Sequence, residues 1–169
     1  MFDQRLQSVY SHIHVPSMIP PRGAIWDQIY PYFFRDAGDS YQFYYRPEIP
    51  RVFSIDQSVS DDTTSITIAH GELLSDGSPL TVFDMVIVIH PLKQDINLNA
   101  IPYFIEDLVH KGRMMFLGGS FDWFQSVPAR QHIERELNIP VKRLSVDLTM
   151  EPYKNFLSDL QAGRLKAGR

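Results

Sequence analysis

The segment LTVFDMVIVIH, residues 80–90, constrains the fold more than any other part of the chain. It is almost continuously apolar and rich in β-branched residues, which crowd a helix but pack well on a pleated surface. It is also far shorter than the roughly 20 residues a membrane helix needs. The pattern predicts a strand buried on both faces, which requires pairing on its edges and cover above and below. One acid interrupts it. A carboxylate in such a strand is costly unless it is paired, protonated or functional, so Asp84 is the first candidate site residue.

The flanking text supplies neighbours for this strand. TSITIAHGELL (64–74) alternates at Ile66 and Ile68, and SDGSP after it carries an Asp-Gly hairpin signal. YQFYYR (41–46) and RVFSID (51–56) are further strand formers, separated by Pro47 and Pro50. An antiparallel meander of three or four strands is expected over 41–90. Upstream, Phe2, Leu6, Val9 and Tyr10 predict a short helix, and Pro16, Pro20 and Pro21 an extended connector, together filling 1–22. Ala24 to Ile29 reads as a helix that Pro31 ends or kinks.

Beyond the meander the rhythm changes. Ile101, Phe104, Ile105, Leu108 and Val109 recur at helical spacing, with Asn99 as a cap and Gly112 as a stop. RMMFL (113–117) reads as a strand, and Pro128–Leu137 as a helix capped by Ser126. VKRLSVDLTM (141–150) reads as an alternating strand. Pro152 opens a last helix with Tyr153, Phe156, Leu157 and Leu160 on one stripe. Strands separated by helices imply parallel crossovers across 96–165. The expectation is one domain over 1–169, α/β or α+β, with a mixed sheet covered by helices.

Composition narrows the function. Apolar residues at 44% and charged residues at 21% are globular values. The chain has no cysteine, which removes disulfides, zinc–thiolate sites and thiol nucleophiles. The net charge of −4 and the absence of lysine before Lys93 argue against a phosphate-backbone binder. The basic end, with Lys154, Arg164, Lys166 and Arg169, reads as a solvated tail. The first ten residues have an acid at position 3 and no long apolar run, so no signal peptide and no membrane segment are expected, and the chain reads as cytoplasmic. No cofactor loop is recognisable.

Four groups of residues are candidate sites. FLGGSFDWF (116–124) joins Gly118-Gly119 to Phe121, Trp123 and Phe124. The glycines lack the G-x-G-x-x-G spacing of a dinucleotide loop, so the stretch reads as a turn with an aromatic anchor, or as a partner-binding tip. Tyr41, Tyr44, Tyr45 and Arg46, in the aromatic band 29–45, are partner-binding candidates or core. His12 and His14 are two apart, so in a strand they share a face, a spacing a metal could use. SHIHVPS (11–17) also resembles, in passing, the paired H-x-S/T motifs of the 2H phosphoesterases, but that family needs two such motifs and no second one occurs in this sequence. His70, Glu72 and Asp84 offer a base and two acids. The order helix, three strands, helix, strand resembles the restriction-endonuclease-like nuclease fold. That family follows its first acid with an acid-x-Lys pair; VIVIHPLK follows Asp84 here, so the likeness ends at element order.

The expected function is a non-catalytic protein-binding role, as a complex subunit, an adaptor or an immunity-type neutralising partner. Its acidic charge would steer it toward a basic protein. The alternative is a hydrolase or degenerate nuclease-like enzyme using Asp84, Glu72 and His70.

Overall fold

A computed structural model describes residues 10–58, 62–122, 127–144 and 151–167. The elements run β1 (Tyr10–His14), α1 (Trp26–Phe33), β2 (Phe34–Asp36), β3 (Tyr41–Phe43), β4 (Arg51–Asp56), β5 (Thr64–Leu73) and β6 (Pro79–His90). They continue with α2 (Ala100–His110), β7 (Phe116–Phe121), α3 (Val127–Leu137), β8 (Val141–Arg143), α4 (Glu151–Gln161) and β9 (Leu165–Ala167).

Seven strands form one mixed sheet in the order β1-β6-β5-β4-β7-β8, with β9 pairing β6 beyond β1. The β4–β5–β6 core is the expected antiparallel meander. Its hairpin turns at Gly77, whose φ of +81° only glycine adopts without strain. Asp76 braces that turn by accepting from the Ser78 amide and hydroxyl. β7 runs parallel to β4, and β8 parallel to β7 through α3, as the alternation of strands and helices requires.

Side chains of one sheet face, including Phe53, Ile55, Ile66, Ile68, Met85, Ile87, Ile89 and Phe121, join α1, α2 and α3 in a single apolar core. The opposite face is less covered. Along β6 the residues alternate between buried and half-buried, so β6 is not closed on both faces as its composition suggested.

Several boundaries differ from the sequence reading. Tyr10 opens β1 rather than closing a helix; the rest of that expected helix, 2–9, lies outside the described residues. Pro31 sits inside α1, where burial of Trp26, Ile29 and Phe33 outweighs the missing hydrogen bond. Residues 41–43 pair with β2 in a separate two-stranded sheet instead of extending the meander. Arg46, at φ +43°, and the two prolines turn the chain away before β4. Asn99 makes no side-chain cap; Asn97 Oδ1 accepts the Asn99 amide instead. The tail is not all solvated, because Leu165–Ala167 pairs with Thr81–Phe83. Ser126 and residues 145–150 of the expected last strand lie outside the described residues.

The Gly-Gly pair is not a turn. It lies within β7, which begins three residues later than RMMFL because Arg113 takes a left-handed φ of +54°. A Cβ at Gly119 would fall 2.0 Å from the Phe53 ring, so glycine lets the two strands seat that ring.

Candidate functional site: a buried acid–histidine cluster and an open sheet face

RVFSID buries every second residue, Arg51, Phe53 and Ile55, and so carries an arginine into the core. On the neighbouring strand His70 continues the inward set of Ile66 and Ile68. On β6 the register slips between Met85, opposite Ile68, and Phe83, opposite Ala69, leaving Asp84 as the extra residue of a bulge. The three polar side chains therefore meet under the sheet, each 0% exposed.

Arg51 Nε donates to Asp84 Oδ2 at 3.0 Å, and His70 Nδ1 lies 2.7 Å from the same oxygen. His70 Nε2 is 3.3 Å from Glu72 Oε1, which also accepts from Tyr45 Oη at 3.1 Å and Arg46 Nη1 at 2.7 Å. The rest of the Arg51 guanidinium donates to the carbonyls of Tyr45, Arg46 and Ile49, and its plane lies 4.7 Å over the Phe43 ring. The cluster thus ties loop 44–50, with its left-handed Arg46, to three strands of the sheet.

Burial pushes the Asp84 carboxyl up, against the opposing pull of His70 and Arg51. Asp84 Oδ1 is buried with no hydrogen-bond partner among the described residues, which agrees with that direction. Glu72 is held below its ordinary value by hydrogen bonds from His70, Arg46 and Tyr45. Burial and the Glu72 carboxylate raise the Tyr45 hydroxyl. A depressed carboxylate stabilises the fold above its unfolded pKa and loses that contribution as pH falls through the folded one. Glu72→Gln should therefore be less stable than the wild type at pH 7, and the gap in urea midpoints should narrow as pH drops below 4.5.

The structure brings Asp84, His70 and Glu72 together, as the enzyme alternative requires, and adds Arg51. The inward parity of RVFSID was the one signal that could have found Arg51. Of the partner-binding candidates, Tyr45 and Arg46 are engaged by Glu72. Tyr41 is half-buried, edge-on to Trp26 and Tyr30. Tyr44 is 56% exposed. Phe121 is corrected from contact tip to core: at 1% exposure it packs edge-on to Phe53. Trp123 and Phe124 lie outside the described residues. His12 and His14 do share a strand face, but His12 meets His90, at 2.5 Å between Nδ1 and Nε2, rather than His14. Among the described residues no three His, Asp or Glu side chains converge on a metal position.

The opposite sheet face carries an apolar trough of about 520 Å³ floored by Ser54, Thr67, Ala69, Phe83 and Gly118. Its lining also includes Val52, Leu117 and Leu144, which are 47%, 67% and 62% exposed. Leu117 stands out because it is the extra residue where β7 shifts against β4. Among the described residues of this lining Lys142 is the one charged side chain. The α4 stripe is also open, with Phe156 and Leu160 half exposed. Among the described residues no helix is long and apolar enough to cross a membrane.

No protein-family model matches the chain, and no curated protein matches it. Among solved structures it is similar to the large terminase from a thermophilic bacteriophage, with a TM-score of 0.50 and 14% identity. The match covers 99% of this chain but 32% of that one. At that identity the likeness is one of fold, and this chain spans about a third of that protein's length.

Proposed function

We propose that this is a non-catalytic, protein-binding domain of the cytoplasm, and that it takes its partner on the sheet face that carries the apolar trough. The observation that carries this reading is the trough. Isolated exposed apolar residues are ordinary on a protein surface, but a contiguous apolar depression across several strands marks a contact site. The partner is a protein that lays an apolar segment over Val52, Leu117 and Leu144. The net charge of −4 favours a basic one by steering its approach. The acid–histidine cluster supports the same reading. Asp84 and His70 are fully buried and already occupied by Arg51 and Glu72, an arrangement suited to holding a loop rather than meeting a substrate.

The test places a photo-cross-linking amino acid at Leu117 in the native host and compares cross-linked species with the same probe at Tyr32 on the helix-covered side. A single stoichiometric adduct at Leu117, lost when Leu144→Glu is added, is the expected result. Leu144→Glu should leave stability within about 0.5 kcal/mol of the parent and weaken the contact by about 2 kcal/mol or more. Equal cross-linking from both positions, or an adduct indifferent to Leu144→Glu, would count against the trough.

A further inference from the structure

We infer that α4 is the chain's own cover for the trough, a strap that closes over it and that a partner displaces. The cover stands on its own observations; only its regulatory meaning rests on the trough being the partner's seat. α4 has 11 residues, short of the roughly 12–15 that an isolated helix needs in water, so its stability depends on packing an apolar face. Yet among its described side chains none is buried, and Phe156 and Leu160, one turn apart, are 47% and 55% exposed. By contrast α1, α2 and α3 each bury apolar side chains. α4 thus presents an apolar stripe that needs a seat, and the trough is an apolar surface able to provide one.

Chain connectivity pairs this helix with this trough. The lining runs from Phe83 on β6 across β5, β4 and β7 to Lys142 on β8 and Leu144 beyond it. Neighbouring strands lie roughly 4.8 Å apart, so this width is about 19 Å. The chain leaves the trough at Leu144, on one rim. It rejoins the sheet at the other, where Leu165–Ala167 pairs with Thr81–Phe83. α4 is the described element between those rims, and at about 1.5 Å per residue it is about 16 Å long. Its far end is fixed. The Arg164 carbonyl accepts from the Thr81 amide at 2.8 Å, and the Arg164 guanidinium meets Asp159 of α4 at 2.8 Å. Between them Gly163 holds a φ of +67°, with nothing within 4 Å of the space a Cβ would take, and so makes a joint on which the helix can pivot. The charges agree, since Lys142 lies in the lining and α4 opens with Glu151. Because the strap is attached at both rims, its effective concentration over the trough exceeds that of the same helix from a second copy.

The experiment uses the absence of native cysteine, which makes a single introduced thiol the only reporter. Leu117→Cys is labelled with a maleimide in the purified full chain, with and without Phe156→Glu/Leu160→Glu. Tyr32→Cys, on the helix-covered side, is the control. Leu117→Cys should react about tenfold or more slowly when the strap is intact, because the trough is then reached only through local opening. Tyr32→Cys should react at one rate in both backgrounds. The protection should not depend on protein concentration. Circular dichroism checks that the strap variant keeps its sheet. Equal Leu117→Cys rates in the two backgrounds overturn the inference, as does protection that grows with concentration, which would make a second copy the cover. The photo-cross-linker at Leu117 in the native host then separates this from the trough reading. A stronger adduct in the strap variant supports both. A labelling difference with no adduct supports the cover and overturns the partner's seat, and an adduct with no labelling difference overturns the cover alone.

Discussion

Asp84→Ala should lower the unfolding free energy by about 3–5 kcal/mol, the range for breaking a fully buried ion pair by deleting one partner. The loss is large because Arg51 and His70 would remain buried and lose their shared acceptor. The Arg51 guanidinium would be left in the core without its carboxylate partner. The double variant Arg51→Met/Asp84→Leu separates charge from shape. Removing both charges together should recover a good part of the loss. Recovery should be incomplete, because Met cannot replace the donors that Arg51 gives to the carbonyls of loop 44–50. Urea titrations of the four members of the cycle, followed by circular dichroism, measure the coupling. A single Asp84→Ala loss below about 1 kcal/mol would mean that water enters the site and that the burial described above does not persist in solution.

Phe121→Ala should cost a similar amount, about 3–5 kcal/mol, as a large aromatic side chain removed from a packed core. Phe121 is 1% exposed and meets Phe53, which Gly119 admits beneath it. The same substitution distinguishes the two roles a Phe in FLGGSFDWF could have. A contact residue would weaken partner binding and leave the denaturation midpoint in place. A core residue moves the midpoint, and Phe121→Leu should then recover most of the stability.

The strongest features of the fold were legible because they rest on local periodicity. The alternation of 51–56 and 64–73, the Asp-Gly hairpin and the 3.6-residue stripe of 101–109 each follow from which side chains a strand or helix can bury. The alternation of helices and strands after residue 96 likewise implied parallel pairing. Failures occurred where packing overrode local preference. Pro31 persists inside α1 because three large side chains anchor that helix. Gly118-Gly119, a turn signal in isolation, became strand because β4 presents Phe53 to it. Residues 165–167 pair with β6, a contact that nothing in their own composition announces.

The candidate site divides along the same line. Sequence alone determined that Asp84 would need an explanation, that His12 and His14 would share a face in a strand, and that the chain would hold a real core without disulfides or thiol chemistry. Each of these follows from one residue's chemistry or one element's repeat. Tertiary structure alone decided that Arg51, His70 and Asp84 come from three strands to one buried point, through a bulge that no local pattern encodes. It also decided that His12 meets His90, 78 residues away, and that among the described residues one sheet face packs into the core while the other carries an apolar trough. Strand order and register are set by long-range burial, which a single sequence does not display. That is why the residues could be named in advance while their partners could not.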